Sequence, residues 1–524
     1  MEKLTSDIIV IGGGLGGVAS AISAASNGKK VIMTEETKWI GGQMTTQAVP
    51  PDEHPWIEMF GRTELYAEFR DRVRAYYRDN YPLTPEARKN KYLNPGNGWV
   101  SKLCHEPKVA LSVLNDMLAP YVSNGRVTVL LNTKIVSAEV SGDAIQSVEV
   151  KDTVNDLSYS LTGTYYLDAT EAGDVLPVAN VEYVIGTEAR KDTGEPHASE
   201  VEDPSDMQSF TMCFALEYIE GKDFTIEKPR AYDFWKDYAP SFWTGKLFDW
   251  THPFPQTHEP WEKVMFREEG RPIIDSLWEF RRIVDKNNFV EGAFEGDITM
   301  VNWPQIDYWM KPIIDVSENE KEKAIEEAKQ LSLSFLYWLQ TEAPTQDGKK
   351  GYPGLKLRKD IVGTPDGMAM PYLRESRRIK ALFTVLEQHV TPEFNPGVKA
   401  KEFKDTIGIG SYRIDLHPST GGTHYIDIDS QPFQIPLGSL IPVRMKNLIA
   451  AGKNIGTTHV TQGCYRLHPV EWNIGESAGH LAAYCINNEC TPKDVYENET
   501  LLTDYQNQLL NNGIQLEWPE VEVR

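Results

Sequence analysis

The feature that most constrains the fold is a short apolar run followed by three glycines near the start of the 524-residue chain. Ile8-Ile9-Val10-Ile11 has the composition of a buried parallel strand, and Gly12, Gly14 and Gly17 follow it in the spacing Gly-x-Gly-x-x-Gly. The first glycine permits a tight turn, the second lets the backbone approach a pyrophosphate, and the third lets the next helix pack on the sheet. The pattern predicts an α/β fold with a dinucleotide site at this strand end.

A second apolar strand, Val31-Ile32-Met33-Thr34, ends at Glu35. A carboxylate there can accept hydrogen bonds from an adenosine ribose hydroxyl, whereas a 2′-phosphate would be repelled. Glu36 is the alternative ribose ligand, one residue out of register. Gly41 and Gly42 follow, and this extended pattern resembles the fingerprint of glutathione-reductase-type flavoproteins. The glycine pair therefore favours FAD over NAD.

Composition excludes several classes of function. The residues are 40% hydrophobic and 10% aromatic, as in globular enzymes, and the length predicts two domains. The net charge of −23 opposes nucleic-acid binding, which relies on clustered Lys and Arg. The first strand begins by Ile8 and leaves no room for a cleavable leader, and no run approaches the roughly 18 apolar residues of a membrane helix. We therefore expect a cytoplasmic protein without nucleic-acid or membrane partners.

The five cysteines are too scattered for a dithiol or metal site: Cys104, Cys213, Cys464, Cys485 and Cys490. The absence of a Cys-x-x-Cys pair argues against a dithiol reductase and against a closely spaced zinc or iron–sulfur cluster. His252 and His258 also lack metal-ligand spacing, so the sequence predicts no metal. Cys464 lies in a segment expected near the flavin, and we interpret it as a buried spectator thiol.

Periodicity predicts the elements that follow the glycine motif. Helices are expected at 62–79 and 108–121, and the strands of an antiparallel insert at 127–131, 135–140, 145–150 and 159–162. The chain then returns to a buried strand that ends in Asp168, followed by a turn of small residues that includes Asp174. This turn predicts a second contact with the dinucleotide, at Asp174.

Between residues 184 and 400 the pattern changes to charge clusters, prolines and large aromatics. Eight of the thirteen tryptophans lie here: Trp235, Trp243, Trp250, Trp261, Trp278, Trp303, Trp309 and Trp338. Aromatic faces can bind sugars or other flat, partly apolar ligands, but they also fill ordinary cores. We interpret the segment as an α+β substrate domain that covers the flavin, with a scaffold helix at 320–340.

Small residues return at 447–456, where a strand enters a glycine-rich turn. This arrangement predicts a third cofactor contact, at Gly452 and Asn454. The following helix, expected at 471–487, carries Gly475 on a close-packing face. Its N-terminus would bring a positive dipole to the carbonyl edge of the flavin ring.

Six segments carry a resemblance to a known family: 39–45, 168–174, 298–308, 371–379, 410–417 and 450–459. The chain resembles the FAD-dependent oxidoreductase family of the glutathione-reductase-like flavoprotein superfamily. Arg-Glu-Ser-Arg-Arg at 374–378 and Ala-Gly-Lys-Asn at 451–454 are more specific than the glycine motif. Two departures are Glu476, where such proteins often have Gln, and His468, where an apolar residue is more usual.

The resemblance implies one Rossmann-type FAD-binding domain, assembled from N-terminal and C-terminal segments around a single cofactor, with the substrate domain between them. The predicted boundaries are 1–183 and 401–490 for the FAD-binding domain, 184–400 for the substrate domain and 491–524 for a C-terminal tail. Cofactor contacts are expected at Gly12, Gly14, Gly17, Glu35, Gly41, Gly42, Gln43, Asp174, Gly452, Asn454 and Gly475.

Candidate catalytic residues lie near the third glycine-rich turn. A flavin that accepts a hydride at N5 needs a base for the adjoining O–H or N–H, and His459 and His468 are candidates because imidazole titrates near neutral pH. Arg466 could hold a carboxylate or polarise a carbonyl. A structural hydrogen bond or ion pair is the alternative role for each. On a helix, Arg374 and Arg378 would share a face that either clamps an anion or forms salt bridges.

These features predict an enzyme that dehydrogenates a small organic substrate, which is a polyol, a sugar-like compound or an amine, with oxygen or another carrier as electron acceptor. A flavin monooxygenase is the first alternative, although no second Gly-x-Gly-x-x-Gly indicates a nicotinamide domain. A flavin-bearing binding or sensor protein with little turnover is the second alternative.

Overall fold

The computed structural model describes residues 1–520. The apolar runs near both ends of the chain form one parallel sheet, since runs of this kind are buried on both faces. Its strand order is Leu448–Ala450, Tyr165–Asp168, Ile8–Ile11, Val31–Thr34, Val127–Leu130. Each neighbouring pair is parallel. The predicted Rossmann-type α/β fold, with strands from separated segments, is confirmed.

Two helices that are far apart in sequence pack closely on this sheet. Leu15–Ser26 follows the first strand, and His468–Asn488 crosses it. A Cβ atom at Gly475 would collide with the backbone of Gly16, and the Ser20 hydroxyl donates to the Gly475 carbonyl at 2.7 Å. Gly475, predicted to contact the cofactor, therefore lies at this helix–helix contact.

The predicted antiparallel insert is correct in part. Thr133–Ser141, Ala144–Asp152 and Leu157–Thr162 form antiparallel neighbours, and Glu2–Thr5 adds a parallel strand to the last of them. Val127–Leu130 instead pairs in parallel with Val31–Thr34, so its predicted place in the insert is wrong. A short half-buried edge strand has the same sequence pattern in either sheet, and only the tertiary pairing separates the two cases.

The central region builds a second hydrophobic core. Its main sheet contains Arg282–Val284, Ile298–Val301, Phe214–Tyr218 and Leu355–Leu357, in that order. A long helix, Glu318–Thr341, packs on it and begins with a capping box at Ser317. Six of the eight tryptophans counted above are buried in this core. Filling a core is thus the structural role of most of them.

The remaining elements are short strand pairs and helices of 4 to 17 residues. Within residues 1–520 the other strand pairs are Phe210–Thr211 with Asp307–Tyr308, Thr251–Pro253 with Pro260–Glu262, Tyr183–Val184 with Arg378–Ile379, Thr406–Gly410 with Phe433–Pro436, and Ile414–Leu416 with Ile426–Ile428. The other helices are Glu64–Asn80, Pro85–Lys89, Pro107–Ser123, Val175–Val178, Arg190–Thr193, Tyr232–Asp237, Leu277–Phe280, Lys359–Val362, His459–Tyr465, Pro492–Glu497 and Glu499–Asn511. None of the helices in this range combines the length and apolar character that crossing a bilayer requires.

Candidate active site and cofactor cleft

A cleft of about 470 Å³ opens where the first two parallel strands end. Ligands of open α/β sheets bind at such carboxyl ends. One wall contains the predicted residues Gly12, Gly14, Glu35, Gly42 and Asp174. The opposite wall comes from the central region and includes Ile313, Glu318, Lys321, Ile325, Met370, Pro371 and Leu373. The cleft therefore lies between the parallel sheet and the second core.

The glycine turn has the geometry that a dinucleotide needs. Gly12 has φ +96°, and Cβ atoms at Gly12 and Gly17 would collide with the Ala169 and Gly12 carbonyls. The helix that begins at Leu15 has no side-chain cap at Gly14, and helix N-termini bind phosphate. Glycine is required at these positions by close backbone packing, as the motif predicts.

Glu35 fixes the glycine turn from the second strand. Its carboxylate accepts from the Gly13 N–H at 3.0 Å and from the Thr37 N–H and hydroxyl at 2.9 and 2.7 Å. Burial raises the pKa of Glu35 to about 7. Glu36, the alternative ribose ligand, has an exposed side chain at the cleft wall. The structure thus gives Glu35 the buried position beside the glycines.

Five buried polar atoms around the cleft lack a hydrogen-bond partner within residues 1–520. They are Gln43 Oε1, Gln47 Oε1, Glu171 Oε1, Asn454 Oδ1 and His468 Nε2. Buried polar groups in native proteins are nearly always paired, so these atoms fit a bound polar ligand. At Gly452 an added Cβ would meet nothing closer than 3.8 Å, which leaves room for that ligand. Donors and acceptors of this kind match the ring edge and ribityl hydroxyls of FAD.

A buried lysine holds two carboxylates beside the glycines. Lys453 pairs with Glu171 and lies 3.9 Å from Glu471. Burial raises the pKa of Glu471 to about 7. The Gln43 side chain donates to Glu471 and, at 3.0 Å, to the Arg466 carbonyl. Gln43 thereby links the glycine turn to two of the predicted catalytic residues, Arg466 and its neighbour His468.

His468 lies in a buried cluster with Asp52 and Arg281. The Asp52 N–H donates to His468 Nδ1 at 3.0 Å, and Arg281 pairs with the Asp52 carboxylate at 3.2 Å. Burial and the charges of Arg281 and Lys453 hold the pKa of His468 well below its usual range. Because the neutral ring accepts at Nδ1, its proton is on Nε2, the atom without a partner. The neutral His468 ring can therefore donate a hydrogen bond from Nε2.

His459 occupies a different environment. The Nδ1 atom of its ring lies 3.1 Å from the Glu375 carboxylate, and its backbone N–H donates to the Glu188 carboxylate at 2.9 Å. Burial alone lowers the pKa of His459, but the Glu375 carboxylate outweighs it and the net shift is upward. Burial would likewise raise the pKa of Glu375, yet His459 and Arg378 lower it to about 2. His459 is therefore an ion-paired, buried group.

The charged segment 374–378 is extended, so the predicted helical face is wrong. Arg374 pairs with Asp307 at 2.9 Å. Arg377 pairs with Asp174 at 2.8 Å and Asp315 at 2.7 Å, and Arg378 with Glu188 at 2.8 Å and Glu375 at 2.6 Å. Because the segment is buried, its arginines pair mainly with carboxylates that are far away in sequence. The sequence analysis offered an anion-binding face or salt bridges for these arginines, and the structure shows salt bridges.

Sequence reasoning assigned no role to His417, which joins two of these pairs. Its Nδ1 lies 2.6 Å from Asp307, the partner of Arg374, and its Nε2 lies 3.6 Å from Asp415. Asp415 is in turn 3.4 Å from Arg466, whose guanidinium also donates to the Tyr372 hydroxyl at 3.1 Å. The sequence pattern that could have identified His417 is the alternation of side chains along the strand Ile414–Leu416, which places Asp415 and His417 on one side.

The family model for FAD dependent oxidoreductases matches residues 7–509 of this sequence. The chain belongs to that family. The FAD-dependent oxidoreductase contains no group of three or more His, Cys, Asp or Glu placed to hold a metal ion within residues 1–520. Its Cys464 is buried, and burial raises the pKa of that thiol above its usual range.

No curated protein matches the sequence of this oxidoreductase. Among solved structures it is similar to p-nitrophenol 4-monooxygenase PnpA from Pseudomonas putida DLL-E4, with 10% identity over 98% of this chain and 89% of that chain, at a TM-score of 0.36. A geranylgeranyl bacteriochlorophyll reductase-like protein from Thermoplasma acidophilum matches with 11% identity over 98% and 85%, at 0.33. L-proline dehydrogenase from P. horikoshii matches with 15% identity over 36% of this chain and only 24% of its own length, at 0.18.

Proposed function

We propose that the enzyme is a glutathione-reductase-like flavoprotein that oxidises a hydroxyl group of a polyol or sugar-like molecule. The observation that carries the proposal is the buried network in which His417 connects the pair Arg374–Asp307 to the pair Arg466–Asp415. Segment 370–373 lies between this network and the cleft. Three of its residues line the cleft, while the fourth, Tyr372, accepts from Arg466.

The donor set favours an alcohol over an amine. An ammonium group would need a carboxylate without a cation, but Asp52, Asp307 and Asp415 each already face an arginine. Paired arginines and aspartates instead offer donors and acceptors side by side, which suits hydroxyl groups.

Bound FAD supplies a hydride acceptor at N5 of its ring. The residues of the cleft that would hold it are those predicted from the glycine patterns. Gly12, Gly14 and Gly17 shape the turn for the pyrophosphate, and Glu35 accepts from the adenosine ribose. Gly41, Gly42, Gln43, Asp174, Gly452 and Asn454 would surround the remainder.

The network residues would act on the substrate. With the Nδ1 proton of the neutral ring directed at Asp307, His417 would accept the hydroxyl proton at Nε2, which lies 3.6 Å from the Asp415 carboxylate. Arg466 donates to the substrate oxygen, and His468 donates from Nε2. His459 would position the 374–378 segment through Glu375. Residues 184–400 would serve as the substrate domain over the flavin.

Anaerobic mixing tests the proposal. The holoenzyme is combined in turn with sorbitol, methyl glucoside, benzylamine and NADPH, and flavin absorbance is followed. Bleaching by a hydroxylated compound is expected. Bleaching by amines alone would contradict the substrate class, and rapid bleaching by NADPH alone would point to a monooxygenase. A spectral shift without bleaching by any compound would indicate a binding protein.

A further inference from the structure

The helix Glu318–Thr341 belongs to the second core and also reaches the cofactor cleft. Leu331 and its neighbours on one side are buried in that core. Glu318, Lys321 and Ile325 line the cleft, and Ile325 also packs against the edge of that core. Residues three and four apart lie on one side of a helix. The first turns of this helix therefore present a stripe of these three residues to the cleft.

This stripe lies at the end of the cleft that contains the ribose-binding carboxylate. Lys321 lines the cleft together with Glu35 and Glu36, and so does Lys134 of the strand Thr133–Ser141. Glu36 follows Glu35, the residue expected to bind the ribose. The stripe is thus nearest to the nucleotide half of a bound dinucleotide.

Charge gives Lys321 a function at this position. The carboxylates that line the cleft are Glu35, Glu36, Glu171, Asp174 and Glu318, whereas its cations are Lys134 and Lys321. A dinucleotide brings a doubly charged pyrophosphate, which carboxylates repel and cations attract. Ile313 and Ile325, from the same region, add apolar surface suited to a flat base.

We infer that the first turns of the Glu318–Thr341 helix form a lid over the ADP half of FAD. Lys321 supplies the attracting charge, and Ile313 and Ile325 supply the apolar cover. The inference rests on the proposed placement of FAD in this cleft. Because the same helix is part of the second core, bound FAD connects the two cores, and FAD leaves only when this helix moves away.

The rate at which FAD leaves the holoenzyme tests the lid. Flavin fluorescence is followed after dilution of wild type, Lys321→Glu and Lys323→Glu. Lys323 is exposed on the same helix outside the cleft wall, so its reversal is a matched control. Lys321→Glu is expected to release FAD about tenfold faster, and Lys323→Glu to stay within about twofold of wild type. Equal rates for the two variants would overturn the lid.

Two further measurements keep the test decisive. Hydrogen exchange of the wild-type chain needs no variant: amides in 318–325 should exchange more slowly with FAD than without it, and unchanged exchange would overturn the inference.

Gly14→Val separately tests the placement of FAD in this cleft. If this variant retains FAD, the placement fails; if it loses FAD while Lys321→Glu releases FAD at the wild-type rate, only the lid fails. No substrate is present, so the outcome is independent of the reaction.

Discussion

The cofactor cleft and the substrate network bury carboxyl groups in opposite electrostatic states. Beside the glycine turn, burial raises the pKa of Glu35 and Glu471 to about 7. In the network burial acts in the same direction, but arginine and histidine partners reverse it and lower the pKa of Asp307 and Asp415. Burial alone favours a neutral acid, and a cation at close range is needed to keep a charge.

The difference matches what each region is proposed to bind. A neutral Glu35 or Glu471 repels a pyrophosphate less than an ionised one, so the cleft is suited to an anionic cofactor. Asp307 and Asp415, whose pKa values are lowered, hold Arg374, Arg466 and His417 in position for the proposed hydroxylated substrate, whereas burial raises the pKa of Asp52 beside Arg281. In this proposal, one region receives the electron carrier and the other receives the electron donor.

The largest expected effect tests the cofactor side. Gly14→Val adds a side chain whose Cβ would lie 2.8 Å from Glu171 Oε1, in the path of the pyrophosphate. FAD affinity should fall by more than about a hundredfold, so the purified protein should lack flavin absorbance. Far-ultraviolet circular dichroism checks that the fold is retained. A folded Gly14→Val protein with full flavin content would contradict the cleft assignment.

A second prediction concerns the buried ion pairs that Glu375 forms with His459 and Arg378. Glu375→Gln leaves His459 and Arg378 with one fewer buried anion, which should cost about 3 kcal/mol of unfolding free energy in urea at pH 7. The Glu375 pKa is depressed, so its contribution is present above the ordinary pKa of about 4.5 and is lost as the pH falls toward 2. Wild type and variant should therefore converge in stability at low pH. An unchanged difference at pH 3 would contradict the ion-pair explanation.

The smallest effect concerns Glu476, a buried carboxyl group of the helix His468–Asn488. Burial raises the pKa of Glu476 to about 7, and the group accepts from the Trp472 indole at 3.1 Å. A raised carboxyl pKa lowers stability as the pH rises from about 4.5 to 7. Glu476→Gln retains an acceptor without the charge, so it should add about 2 kcal/mol at pH 8 and almost nothing at pH 4. Thermal unfolding at both pH values measures this, and a destabilised variant at pH 8 would contradict it.

Local sequence patterns were sufficient for the cofactor side. Cβ atoms at Gly12 and Gly17 would collide with the backbone of Ala169 and Gly12, and the spacing of the motif predicts glycine at both positions. The strand Leu448–Ala450 was predicted in the same way, from small residues around a glycine-rich turn. Four strands of the parallel sheet could therefore be predicted, and the family resemblance joined segments more than four hundred residues apart, but the fifth strand, Val127–Leu130, was wrongly placed in the antiparallel insert.

The substrate side could not be predicted from local patterns. Asp52, Arg281, Asp307 and His417 come from four separate segments, and no local spacing connects them. Segment 374–378 had a spacing compatible with a helix, but its arginines pair with distant carboxylates in an extended chain. Side-chain networks depend on tertiary packing, which a single sequence does not reveal.

Anaerobic stopped-flow reduction of the flavin tests the central claim most directly. Wild type, His417→Gln and His459→Gln are mixed with a hydroxylated compound that bleaches the wild-type flavin. His417→Gln should slow flavin reduction by about a hundredfold, because the proton acceptor is lost. His459→Gln should reduce its flavin within about threefold of the wild-type rate while unfolding at lower urea concentration, because His459 acts in an ion pair. A His417→Gln enzyme that reduces its flavin at the wild-type rate would contradict the assignment of the network as the substrate site.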